Sequence, residues 1–229
     1  MSFDILPQTK DDSPEVFTAA RKAFTRFNRI LFDPFPLSEE SMDLLSKRRT
    51  ESFGKDPLAK SFKAVDRETG AIVGAARWSI HAEEETIEKT VEEESGHGVE
   101  AFRVPELRVN VATAFYRDLF QGKREVMGVK EEDGRVFRLK PRVDLESLFT
   151  HPDHQGKGVG KALLQRCIQD AEELGLVAYL EATEEGLPLY AKNGFETIRT
   201  NVFDAKDFGI EGKHAYTVCL NTHFLMNAH

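Results

Sequence analysis

The residues with the plainest chemical reading are Gln155-Gly156-Lys157-Gly158-Val159-Gly160-Lys161. A glycine-rich turn that opens a helix leaves backbone N–H groups unpaired at the positive end of the helix dipole. Such a turn suits an anion, most often phosphate, although it can also serve as a plain chain reversal. Two phosphate-loop patterns fail on spacing. The nucleoside-triphosphate loop needs a glycine where Gln155 stands and a hydroxyl residue where Ala162 stands. The dinucleotide fingerprint needs its third glycine at Lys161. Just upstream, Asp144 and Glu146 lie two apart in an apolar run of strand type, so both carboxylates share one face and can accept protons. No spacing of His, Cys and carboxylates suits a metal ion.

What remains of the loop, Gln155-x-x-Gly158-x-Gly160, resembles the acyl-CoA loop of the GNAT superfamily of N-acetyltransferases. Leu148-Phe149-Thr150-x-Pro152-x-x-Gln155 is similar to that family's strand-and-turn lead-in, and Leu189-Tyr190-x-x-x-Gly194-Phe195 to its Leu-Tyr-x-x-x-Gly-Phe segment. The resemblance covers residues 143–198, and the N-terminal half matches in element order only. It implies an α/β fold: a single acetyltransferase domain over residues 1–229, with a mixed central β-sheet flanked by helices. About sixty residues separate the third and fourth strands, where a minimal member has a short link. Residues 82–130 are therefore read as a helical insertion that shapes the acceptor site. The implied activity is direct transfer of an acetyl group from acetyl-CoA to the amine of a small molecule. Acetylation of a protein or peptide, and acyl-CoA binding without catalysis, are the alternatives.

The resemblance also assigns roles. Backbone N–H groups of Gln155, Gly156, Lys157, Gly158, Val159, Gly160 and Lys161 would hold the pyrophosphate, with the two lysine side chains adding charge or simply solvated. On the central strand, the N–H of Leu148 would face the thioester carbonyl, and the backbone of Phe149 and Thr150 would run along the pantetheine. Thr183 stands where many members carry an Asn that contacts the cofactor. Tyr190 occupies the position of the residue that protonates the departing thiolate, unless its ring merely packs there. An alkylammonium of pKa near 10.4 must lose a proton before attack, which costs about 4.6 kcal/mol at pH 7. Asp144 matches the position of the glutamate base of histone-acetylating members, and Glu146 lies nearer the thioester and is favoured. Phe32 and Phe35 in the loop between the first helices, and Phe115 in the insertion, are acceptor-pocket candidates, with core packing the alternative.

Other elements must position these residues. Phe3 and Ile5 alternate with polar neighbours in a short first strand that stops at Pro7. Ser13, read as N-cap, and Pro14 start a helix that runs to about Asn28, and Phe32-Asp-Pro-Phe-Pro36 breaks the chain. Ser38 caps a second helix over residues 39–50 that buries Met42, Leu44 and Leu45. Residues 61–66 and 71–81 form a hairpin around Glu68-Thr69-Gly70. The acidic run 83–94 reads as a solvated helix face or a mobile loop, and 110–121 as an amphipathic helix. The helix after Gly158 buries Leu163, Leu164, Cys167, Ile168, Ala171 and Leu174, then ends at Gly175. A strand at 177–181, a short helix at 188–192 and an antiparallel pair at 195–198 and 215–221 complete the domain.

Composition sets the outer bounds. The 229 residues are 40% hydrophobic and 31% charged, which suits one globular domain. A net charge of -8 argues against a nucleic-acid surface. No apolar run approaches the roughly 20 residues of a membrane span, and no signal peptide is visible, so a cytoplasmic protein is expected. Cys167 and Cys219 are read as free, buried thiols.

Overall fold

A computed structural model describes residues 2–130, 136–210 and 213–222, without the side chains of Val136, Phe137, Asp207, Lys213 and His214. Its centre is β7 (Arg142–Thr150), and the other elements are fixed by how they pack on it. Before β7 come β1 (Phe3–Pro7), β2 (Ala59–Asp66) and β3 (Ile72–His81). After it come β8 (Val177–Thr183), β9 (Glu196–Asp204) and β10 (Lys213–Asn221). These seven strands lie in the order β1-β2-β3-β7-β8-β10-β9. The β7–β8 pair is parallel and the other neighbours are antiparallel, so the sheet is mixed. The crossover between β7 and β8 is α6 (Val159–Leu174), the helix a parallel pair requires.

One face of the sheet packs on α6. Val143 and Leu145 of β7 meet Val159, Leu163, Leu164 and Cys167 of the helix, with Trp78 beside them. Leu174 lies outside this stripe and is half exposed, not buried as its spacing suggests, because the helix ends there on the left-handed Gly175 (φ +63°). Both cysteines are free and buried.

The other face carries the N-terminal helices and the chain between β3 and β7. Helix α1 (Ser13–Ala23) starts one residue earlier than expected: Asp12 is the N-cap, and the Ser13 hydroxyl is buried without a hydrogen-bond partner. Phe24 separates α1 from α2 (Thr25–Leu31), so the expected single helix is two. Helix α3 (Glu39–Ser52) is capped by Ser38, whose hydroxyl accepts from the Ser41 N–H. Leu45 is buried there and Leu44 is exposed, which corrects the expected burial pattern. Between β3 and β7 the chain forms β4 (Glu85–Thr86), α4 (Val91–Ala101), α5 (Val109–Met127), β5 (Gly128–Lys130) and β6 (Val136–Leu139), with β4, β6 and β5 pairing as a small second sheet. Helices α4 and α5 bury Val99, Val111, Ala112 and Phe115 in a second core with Leu31, Phe32 and Phe203. The acidic run is neither free loop nor wholly solvated face. Thr90 and Glu93 form a capping box at the start of α4, and Glu85 and Glu94 pair with Arg142 and Arg124. The last short helix is α7 (Leu187–Ala191).

Candidate active site

The site begins with an irregularity in β7. Across the β3–β7 ladder Arg77 faces Ser147 and Trp78 faces Leu145, so Glu146 has no partner and forms a bulge. A bulge bends its strand and increases its twist. On the other edge, the pairing of β7 with β8 stops at Leu145 and Leu180. Neither strand ends there: β7 stays on β3 as far as Thr150, and β8 stays on β10 as far as Thr183. The two strands therefore diverge while their outer neighbours hold them. The parity of β7 also flips at the bulge, since Leu145 faces α6 whereas Phe149 packs under α1 with Val16 and Ala19.

The gap is a cleft of about 590 Å³. Residues 145–150 form one wall, and Glu181 and Thr183 of β8 the other. Gln155, Gly156 and residues 158–161 close one end, where α6 begins. Gly156 and Gly158 have φ of +74° and +85°, a conformation that strongly favours glycine. Ala162 makes the first bond inside the helix, to the Gly158 carbonyl at 3.0 Å. The N–H groups of Val159, Gly160 and Lys161 are thus left without helical partners. Gly160 also permits close packing: a Cβ there would stand 3.3 Å from both Thr150 Oγ1 and Leu189 Cδ2.

Tyr190 of α7 also lines the cleft, its ring edge-on to Phe195 at 5.8 Å. Burial raises the pKa of its phenol, so at neutral pH it is a proton donor. Thr183 lines the cleft, but its hydroxyl also accepts from the Gly186 N–H at 3.3 Å and so braces the turn before Tyr190. Of the residues read as cofactor-binding, Lys157 alone does not line the cleft.

The carboxylates separate by environment. Glu146 lines the cleft, and Arg77 Nε donates to its Oε2 at 2.6 Å. Asp144 is buried behind it, where Lys123 Nζ donates at 2.7 Å and Arg142 Nε lies at 3.5 Å. Burial opposes the charge on Asp144, but Lys123 and Arg142 outweigh it and its pKa falls below the ordinary value. Asp144 does not line the cleft. Glu181 does, one residue past the last β7–β8 pair, and the Tyr179 hydroxyl donates to its Oε1 at 2.6 Å. Burial raises the pKa of Glu181, only partly offset by Lys123. The sequence reading passed over Glu181, although its alternation with Tyr179 on β8 was visible; nothing local showed that β7 would leave it facing a gap.

The aromatic assignments move. Phe32 and Phe115 are buried in the second core, and Phe35 packs against it. None of the three lines the cleft; Phe24 and Phe27 do. The break at Phe24 turns α2 across the cleft, and Arg26 of α2 reaches Glu185 at 2.9 Å on the opposite side.

Comparison with known proteins follows the same lines. A family model described as an acetyltransferase (GNAT) domain matches residues 123–197, from the end of α5 through the glycine turn and Tyr190. Mycothiol acetyltransferase of Propionibacterium freudenreichii subsp. shermanii is 41% identical over 78 residues, 32% of this chain and 23% of that protein. The L-amino acid N-acyltransferase MnaT of Escherichia coli is 43% identical over 53 residues, 21% of this chain and 31% of that protein. The matches thus span less than a third of either curated relative. The solved structure of a mosquito arylalkylamine N-acetyltransferase-like protein superposes with a TM-score of 0.62 over 96% of this chain and 99% of that one, at 14% identity. The glycine turn, the opened strand pair and Tyr190 all lie inside the segment that matches the GNAT acetyltransferase model, and the likeness of fold extends over the rest of the chain.

Proposed function

We propose that this protein is an acetyl-CoA-dependent N-acetyltransferase that moves an acetyl group directly to the amine of a small molecule. The observation that carries the reading is the gap between β7 and β8, lined by the glycine turn at the start of α6 and by Tyr190. An open strand edge and a free helix N-terminus are both incomplete without a ligand that supplies acceptors. Acetyl-CoA, as co-substrate, supplies a diphosphate for the helix end, amides for the strand edge and a thioester as acyl donor.

The residues then divide the work. Gly156, Gly158 and Val159–Lys161 hold the diphosphate through their backbone. The edge of β7 at Leu148–Thr150 aligns the arm and offers an N–H to the carbonyl oxygen as it becomes an oxyanion. Glu181 accepts the proton that the amine must lose; its raised pKa makes it a better base than a carboxylate at the ordinary value. Arg77 holds Glu146, and Lys123 holds Asp144 charged, so neither is chosen for this role. The amine nitrogen bonds to the thioester carbon, the C–S bond breaks, and Tyr190 gives its proton to the sulfur.

Acetyl-CoA binding by calorimetry, and thiol release with a panel of amines and peptides, test this. Binding together with acceptor-dependent thiol release is expected. Tyr190→Phe should lower kcat by about 10²–10⁴, the usual worth of general acid catalysis, with little change in acetyl-CoA affinity. Absence of binding, or binding without turnover on any acceptor, would overturn the assignment.

A further inference from the structure

A second cavity of about 300 Å³ lies behind the cleft, on the face of β7 opposite α6. It shares Glu146 with the cleft, so the bulge residue borders both spaces. Its walls come from β7, the end of β3, β4, α4, α5 and β6 of the segment between those strands, and Asp56 of the loop before β2. A water-sized group takes about 30 Å³, so the chamber has room for an acceptor of about ten heavy atoms.

Its lining is ordered by charge. Asp56, Glu85, Glu94, Asp144 and Glu146 face Lys123, Arg124 and Arg142. The cations are the inner members, with side chains 2–19% exposed, and each is already engaged: Lys123 by Asp144, Arg124 by Glu94 and Arg142 by Glu85. Arg77 braces Asp56 and Glu146 from outside the lining. The carboxylates other than Asp144 are the outer members, with side chains 30–41% exposed. A carboxylate has about four acceptor sites, so one arginine leaves capacity to spare. His81 adds little positive charge, because burial and then Arg142 lower its pKa below the ordinary value. The carboxylates are therefore more open to an entering ligand than the cations that line the chamber.

We propose that the acceptor is a diamine, whose far ammonium is held in this chamber by Glu94 and Asp56 while its other amine reaches the cleft past Glu146. This rests on the acetyltransferase reading for its second half only, since binding can be measured without turnover. Glu94 belongs to the long connection between β3 and β7 and Asp56 to the loop before β2, and neither lines the cofactor cleft, so the selectivity is separate from cofactor binding.

The test uses the full chain loaded with CoA and three probes of similar length: diaminobutane, pentylamine and aminobutyrate. Calorimetry reads binding, and thiol release from acetyl-CoA reads turnover. Diaminobutane should bind at least about tenfold more tightly than either other probe, the worth of one hydrogen-bonded charge. Glu94→Gln and Asp56→Asn should each remove about tenfold of that preference through Kd and KM, with kcat and acetyl-CoA affinity kept; retained acetyl-CoA affinity shows that the variants are folded. Diaminobutane binding weakened by both variants, with no turnover in any case, would support the chamber and sink the transferase. Equal binding of the three probes, preference for the carboxylate-tailed one, or a diamine preference unchanged in both variants would overturn the proposal.

Discussion

Glu181, Glu146 and Asp144 are three acidic residues within one small region, and their surroundings give them different work. Asp144 is locked to Lys123 at 2.7 Å and sits among buried charges. Glu146 is spent on Arg77. Glu181 has a hydroxyl donor and a half-buried position at the mouth of the strand gap. A base with a raised pKa loses activity on the acid side at a higher pH than an ordinary carboxylate does. Glu181→Gln should therefore lower kcat/KM by about 10²–10⁴ near neutral pH and abolish the acid limb of the kcat/KM profile. A profile that keeps its limb would move the role elsewhere. Lys123→Met makes the complementary point. It strands a buried carboxylate, so denaturant unfolding should show a loss of about 3–5 kcal/mol. Adding Asp144→Leu to Lys123→Met should recover much of that loss, because the pair is then replaced by apolar groups.

At the scale of elements, several helix starts are tied to distant parts of the chain. The Ser38 cap of α3 was legible, since Ser before an acidic first turn is a common helix start. Its second partner was not. Glu106, from the turn between α4 and α5, accepts from the Ser38 N–H at 3.0 Å and from the Ser38 and Ser41 hydroxyls at 2.6 Å each. These donors bring its pKa down to about 2. A carboxylate whose folded pKa is depressed contributes stability above its unfolded pKa and loses it as pH falls through the folded one. Glu106→Gln should therefore lower Tm at pH 7, with the gap to the native chain narrowing between about pH 4.5 and pH 2. A gap that stays constant across that range would show that charge at Glu106 is not what ties α3 to the turn. Helix α6 shows the same division of knowledge. Its apolar stripe and its Gly175 end follow from periodicity, whereas Leu174, which the same periodicity would bury, is half exposed.

At the scale of the whole molecule, the sheet is continuous except where it is needed open. Hydrogen bonding to β3 holds β7, and hydrogen bonding to β10 holds β8, so the gap persists without a ligand. A ligand that bridges it should add stability by mass action, about 2.7 kcal/mol at a hundred times its Kd. The expected signature is spatially confined. In hydrogen exchange, saturating acetyl-CoA should slow the amides of residues 146–150 that do not face β3, and those of Gly156 and Val159–Lys161. Uniform slowing, or none in these two segments, would place the ligand elsewhere. Among the described residues no helix is long and apolar enough to cross a membrane, and no group of His, Cys, Asp and Glu could hold a metal ion.

Sequence alone determined the parts whose causes are local. Glycines at positive φ, a hairpin turn, the helical spacing after Gly158 and the tyrosine before Asn193-Gly194 depend on neighbours a few residues away, and from them the family resemblance and the glycine turn of the cleft could be read. Tertiary structure alone decided the parts whose causes are distant. A single unpaired residue, Glu146, opens two strands, and this turns Glu181 from an alternating strand position into the wall of a site. Packing of α4 and α5 draws Phe32 and Phe115 into a second core, and carboxylates from β4, α4, β7 and the loop before β2 surround one chamber. Spacing fixes which face of its own element a side chain takes; only the assembled sheet fixes what that face meets.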